Sequence, residues 1–275
     1  MIPRVNESEY SMAKKTITFF NEKGGTGKTT FAALFASWLR YNQGEEVVVY
    51  DYDFPSFHLG KFREVDDYYY KENGGLFQKM CDEAGEPYPI VTVGNSGVFE
   101  REQLREMVSG LKAEKESGSG YIVLDFPGSF KSKDPIFHYL ANGLLDLIVL
   151  PINSDSQSRL SALNVFRMMK HPDIMKLSGK DAGQECLFLW NGVTQAETKA
   201  KDDRYDNYGR SLQQIGGKIC RTRVKDIPIL RRDPENPLVF IRSTRCYPIM
   251  NIRRYCPYLN DLFEEIKNEL DSSNE

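Results

Sequence analysis

The sequence predicts an α/β fold: a mostly parallel, twisted sheet with helices on both faces, in three layers. Three observations carry this. Short, almost continuously apolar runs have the length and composition of strands buried on both faces. They alternate with stretches whose apolar residues recur at helical spacing. A glycine-rich segment separates the first such run from the first such stretch, as a strand-to-helix loop would.

In chain order, residues 1–14 read as a loose, flexible polar leader, and 15–275 as a single domain without internal repeat or second core. The first strand is Thr16-Ile17-Thr18-Phe19-Phe20. A helix follows from about Lys28 to Tyr41, because Phe31, Leu34, Phe35, Trp38 and Leu39 fall on one helical face. Gly44 turns the chain into a strand from Val47 that ends on Asp51. Between 60 and 120 the pattern weakens: Tyr68-Tyr69-Tyr70 and Gly74-Gly75 suggest irregular or peripheral structure. Pro89 to Val93 suggests a short strand, and Arg101 to Lys112 a helix that buries Leu104, Met107, Val108 and Leu111. Clear strands return at Tyr121 to Asp125, Leu147 to Pro151 and Leu187 to Trp190. Helices are expected near Pro135 to Leu144, Ser158 to Lys170 and Asp206 to Ile215. The last runs from Tyr258 to Leu270, with Leu259, Leu262, Phe263, Ile266 and Leu270 on its core side.

The net charge of −3 does not mark the whole chain as a nucleic-acid binder. The five cysteines are widely spaced, with no CxxC, so a disulfide framework or structural zinc site is not expected. No apolar signal core opens the chain and no run is long enough to span a bilayer, which predicts a cytoplasmic protein.

The chemistry is concentrated in Asn21-Glu22-Lys23-Gly24-Gly25-Thr26-Gly27-Lys28-Thr29-Thr30. The general phosphate-loop pattern is GxxxxGK[ST], and here its first glycine is replaced by Glu22. The physical requirements survive. Gly24, Gly25 and Gly27 let backbone N–H groups turn toward phosphate oxygens, and Thr26 completes the turn. The helix beginning near Lys28 points its positive end at them. Lys28 can bridge β- and γ-phosphates, the Thr29 hydroxyl can ligate magnesium, and Thr30 closes the cradle. A merely structural glycine turn would not combine this placement, spacing and residue choice. The expected ligands are ATP and Mg2+.

With its second lysine at the loop start, this segment resembles the deviant Walker A motif of the ParA/MinD/Soj superfamily of P-loop ATPases, which also includes nitrogenase iron protein. The resemblance implies an ATP-driven homodimer in which Lys23 reaches the partner subunit's phosphates, as an arginine finger does in trans. It also implies an activating partner protein and slow, magnesium-dependent ATP hydrolysis. Val47 to Asp53 resembles the family's switch I strand, so that Asp53 would orient the attacking water and Asp51 would support magnesium or the switch geometry. Relatives continue DxDPQ, whereas here the order is Asp53-Phe54-Pro55-Ser56. Tyr121 to Gly128 resembles the Walker B strand and switch II, with Asp125 holding magnesium through water. Asn191 stands where relatives carry an adenine-reading asparagine; a plain strand-end cap is the competing reading.

Within the superfamily, wide cysteine spacing argues against an iron–sulfur cluster, and the acidic C-terminal helix argues against a stable membrane anchor. Residues 218–254 hold ten basic side chains against three acidic ones. Arg221, Arg223, Arg253 and Arg254 are the candidates for sequence-independent DNA contacts. Solvated arginines paired with the acidic remainder are the alternative. The chain most resembles short ParA/Soj-type partition ATPases, and its divergent switch I and tyrosine-rich insert suit a mobile-element member. Two functions follow: an ATPase that dimerises on ATP, binds DNA non-specifically and drives its partition, or one that positions or assembles a protein machinery, such as a conjugation or secretion apparatus, without DNA.

Overall fold

The computed structural model describes residues 13–72, 85–94, 99–129, 134–180, 183–194, 204–225, 245–246 and 257–273. Within them lies a sheet of seven strands: β1 (Lys15–Phe19), β2 (Val47–Asp51), β3 (Ile90–Thr92), β4 (Tyr121–Asp125), β5 (Leu147–Ile152), β6 (Cys186–Trp190) and β7 (Lys218–Ile219). They lie in the order β3-β2-β4-β1-β5-β6-β7. Every pairing is parallel, as nearly continuous apolar strands require.

Side-chain alternation divides the core in two. Ile17, Phe19, Val123, Val149 and Leu189 face one layer, built from α1 (Lys28–Asn42), α2 (His58–Glu72) and α8 (Pro257–Ser272). Ile122, Leu124, Ile148, Leu150 and Phe188 face the other. That layer holds α3 (Arg101–Glu116), α4 (Pro135–Ala141), α5 (Ser156–Met169) and α7 (Arg204–Gln214). The short α6 (Pro172–Ser178) follows α5. The three-layer expectation is met. The C-terminal helix also behaves as its periodicity predicts: Leu262, Phe263, Ile266 and Leu270 are fully buried, and Phe263 lies edge-on to Phe35 at 5.6 Å between ring centroids.

The tertiary structure departs from the sequence reading in three places. The stretch through Tyr68 is helical, not irregular; α2 begins on hydrogen bonds to the Asp51 carboxylate at the end of β2, described below. Its own apolar stripe is thin, comprising Leu59 and the half-buried Phe62 beside a buried Asp66. Asp66 accepts hydrogen bonds from the backbone N–H groups of Arg245 and Cys246 at 3.0 and 2.8 Å. α6 was not anticipated: it buries no residue, and its start is marked only by Pro172 and by His171, whose ring accepts from the N–H of Asp173. β7 is two residues long, too short for a periodic signal.

Of the expected leader, residues 1–12 lie outside the described residues, as do Gly74 and Gly75. Lys14 is buried, with its ammonium 2.6 Å from Glu114 and 3.2 Å from Glu46. Cys186, Cys220 and Cys246 are buried free thiols. No helix among the described residues is long and apolar enough to cross a membrane.

Candidate functional site

The carboxyl ends of β1, β2 and β4 meet at the glycine loop, because β1 is central and β4 lies between β1 and β2. Asn21 ties the loop to its surroundings. Its buried amide donates to the carbonyls of Pro151 (2.8 Å) and Ser158 (3.1 Å). Its Oδ1 accepts from the Lys23 N–H (2.9 Å) and the Ser161 hydroxyl (2.7 Å). Gly25 and Gly27 have φ of 74° and 96°, where a side chain is strained. At Gly27 a Cβ would also lie 2.7 Å from the Asn191 amide nitrogen. Gly27 starts α1 without a side-chain cap, and the first turn carries no acidic residue. The orphan N–H groups and the positive helix end are thus left for an anion.

The two lysines go different ways. Lys28 lines a cavity of about 350 Å3, together with Gly24, Thr29, Thr30, Asp53 and Gly128. Its ammonium donates to the Lys23 carbonyl at 3.3 Å, and burial lowers its pKa despite the nearby Asp125 and Asp53. Lys23 does not line this cavity; its ammonium donates to Gln157 at the start of α5, at 3.1 Å.

Asp125 and Asp53 carry negative charge near Lys28, and Asp51 lies beside Asp125. Asp51 and Asp125 are register partners on β2 and β4. Asp51 is spoken for: Oδ1 accepts from the Asp53 N–H at 3.0 Å, and Oδ2 from the N–H groups of Leu59 and Gly60, both at 3.1 Å. This carboxylate thus ties the segment after β2 to the start of α2. Asp125 Oδ1 accepts from the Thr29 hydroxyl at 3.2 Å, while its buried Oδ2 has no hydrogen-bond partner. An unpaired buried carboxylate oxygen beside a threonine hydroxyl suits a hydrated divalent cation, so Thr29 and Asp125 fit Mg2+. Asp53 is less buried, and its Oδ2 lies 2.7 Å from His58 Nδ1. His58 was passed over by the sequence reading, because a lone histidine in an unfamiliar loop carries no signal.

Burial pushes the Asp125 carboxyl up to about 8, helped by the charges of Asp51 and Asp53 and opposed by Thr29 and Lys28. The folded value exceeds the ordinary one, so between about pH 4 and pH 8 the folded chain keeps a proton that the unfolded chain has lost. Stability of the nucleotide-free protein therefore falls as pH rises through that window. Asp125→Asn is expected to flatten the slope and to gain on the order of 2 kcal/mol at pH 8. Urea unfolding at pH 5 to 8 measures this, and equal slopes for the two proteins would refute it.

The segments that follow β2 and β4 touch through aromatic rings. Tyr52 stacks on Phe126 with centroids 4.9 Å apart, and its hydroxyl lies 2.6 Å from that of Tyr139 on α4. Asn191, expected at the base, donates its amide to the Thr26 carbonyl at 2.7 Å and so braces the loop.

The candidate DNA residues are only partly described. Arg253 and Arg254 lie outside the described residues. Arg223 pairs with Asp206 and lies over the Tyr205 ring. Arg221 donates its backbone N–H to Glu265 at 2.7 Å and shares a surface groove with Asp261, Glu264 and Glu269. Lys218 pairs with Glu185 and Glu269. Carboxylates thus interleave the described part of the basic segment.

Residues 17–128 match the family model described as CobQ/CobB/MinD/ParA nucleotide binding domain. No curated protein is similar in sequence. Among solved structures, the chain is similar to a ParA family ATPase from Chlorobium tepidum TLS, with a TM-score of 0.55, 17% identity, and 96% and 99% of the two chains covered. It is similar to MinD in the MinC:MinD cell division complex of Aquifex aeolicus, with a TM-score of 0.58, 16% identity, and 92% and 96% covered. A third similar structure is a putative plasmid partition protein from Borrelia burgdorferi B31 bound to AMPPNP, with a TM-score of 0.52, 15% identity, and 94% and 97% covered.

Proposed function

We propose that the chain is a ParA/MinD/Soj-type ATPase, cytoplasmic and magnesium-dependent, that dimerises on ATP; the nucleotide-binding domain matched over residues 17–128 and the fold around it support this reading. The dimer binds DNA without sequence preference, and a partner protein triggers hydrolysis and release, driving partition or positioning. The observation that carries this reading is the divergence of the two lysines. Lys28 turns into its own phosphate cavity, whereas Lys23 lies outside it, with its ammonium on Gln157, and would serve a facing subunit.

In this reading the loop N–H groups and Lys28 hold the phosphates, Thr29 and Asp125 hold Mg2+, and Asp51 keeps switch I in place. Bound Mg2+ offsets the charge on the β- and γ-phosphates. Asp53 orients the attacking water. The water oxygen bonds to the γ-phosphorus as the bond to the bridging oxygen of ADP breaks, and the water proton leaves with inorganic phosphate. Lys23 of the partner subunit stabilises the charge on the transferring group. Asn191 contacts the adenine edge once the base enters.

A second reading has its own support. The carboxylates interleaved with Arg221, Arg223 and Lys218 weaken a DNA surface, which favours action on a protein machinery instead. Size-exclusion chromatography of Asp53→Ala with ATP, with and without plasmid DNA, separates the two. A dimer that co-elutes with DNA and is released by salt supports partition. A dimer that ignores DNA supports the second reading, and a monomer with ATP would overturn the shared dimer switch.

A further inference from the structure

Asp53 is held from two directions. Its N–H donates to Asp51 Oδ1 at 3.0 Å, and its Oδ2 is 2.7 Å from His58 Nδ1. His58 is the first residue of α2, and the next two N–H groups of that helix are fixed on Asp51 Oδ2. The residue before it, Phe57, has φ of 39°, a left-handed value rare outside glycine. The Phe57 N–H donates to the Asp53 carbonyl at 2.7 Å, closing the turn from Asp53 to His58. Strain of this kind persists only where the surroundings enforce it. The enforced turn delivers the imidazole to the Asp53 carboxylate, and both side chains line the cavity of Lys28 and Thr29.

We infer that His58 is a positioning residue for Asp53, fixing the carboxylate that orients the attacking water. This rests on the ATP-hydrolase reading above. Asp53 is partly exposed, with 21% of its side-chain surface open, so an unheld carboxylate there could rotate toward solvent. When His58 Nδ1–H donates to Oδ2, Oδ1 remains to accept from water. In-line attack on a phosphoryl group depends on such placement more than on covalent chemistry. His58 takes no proton in this scheme; the water proton still departs on phosphate.

The test is steady-state ATPase kinetics of His58→Ala, His58→Asn, Asp53→Ala and the His58→Ala/Asp53→Ala pair, with affinity for a non-hydrolysable ATP analogue measured alongside. His58→Ala is expected to lower kcat about tenfold, with KM and analogue affinity within about twofold. His58→Asn, whose amide can still donate, is expected to recover most of the rate. The double variant is expected to be no slower than Asp53→Ala alone, since a positioning residue has nothing left to position. Wild-type kcat in His58→Ala, a change in KM alone, or a double variant slower by the full His58→Ala factor would each overturn the inference. Should the alanine variant fail to fold, His58→Asn against His58→Leu gives the same comparison. An inactive wild-type protein would sink the hydrolase reading and this inference together; an active one with an unaffected His58→Ala sinks this inference alone.

Discussion

Lys28→Ala is expected to abolish nucleotide binding, weakening the affinity for ATP by at least about a hundredfold. The reason is the charge in the cavity. Lys28 is its lining cation, and Asp53 lines it with Asp125 close by. Without the ammonium, a polyanionic ligand would meet carboxylates, hydroxyls, an imidazole and backbone dipoles, with no lysine or arginine lining the cavity. Lys28 is also largely desolvated, which lowers its pKa and makes it costly to keep charged without a partner. Bound phosphate supplies that partner. Isothermal titration of wild type and Lys28→Ala with ATP and Mg2+ measures the difference. Affinities within threefold of each other would show that the loop N–H groups and the α1 N-terminus suffice, and would remove Lys28 from the binding machinery.

Lys23→Ala is expected to leave ATP affinity nearly intact and to lower kcat at least about a hundredfold, the scale on which a cation supplied in trans acts. Asp53→Ala should be comparably slow for a different reason, the loss of the group proposed to orient water. On the proposed trans arrangement, the two defects lie in different subunits of any one composite site. In a mixed dimer, the site of the Lys23→Ala chain has its own Asp53 and receives Lys23 from the other chain. Mixing the two inactive variants in equal amounts is therefore expected to restore about a quarter of wild-type activity, since half the dimers are mixed and each has one complete site. A phosphate-release assay on the separate and mixed proteins decides this. A mixture no faster than its components would mean that Lys23 acts in its own subunit or not at all. In the described structure Lys23 rests on Gln157 of α5 and does not line the cavity of Lys28.

Two buried networks around these residues could not be anticipated residue by residue. Asn21 was visible only as part of a loop, yet four hydrogen bonds make it the anchor that joins the loop to β5 and α5. Tyr52 and Phe126 read as the variable middle positions of two short motifs. Packing turns them toward each other, so that the two switch segments share a stacked pair closed by Tyr139. Neither contact has a sequence period, because each joins residues far apart in the chain.

What the sequence determined by itself was whatever depends on local repetition or on a contiguous motif. Continuous apolar runs specify strands buried on both faces, helical spacing specifies α1, α3, α5 and α8, and the glycines with Lys23, Lys28 and Thr29 specify a phosphate cradle. What only the tertiary structure decided was which carboxylate does what. Asp51 and Asp53 are two residues apart, yet one carboxylate is consumed by three backbone N–H groups and the other opens onto the cavity beside His58. Asp125 keeps an unpaired oxygen because β4 is inserted between β1 and β2, which places it against Thr29 and beside Asp51. The same physical reason explains why α2 was unreadable. Its start is fixed by hydrogen bonds to Asp51 on the preceding strand, and a contact between two elements leaves no periodic trace within either.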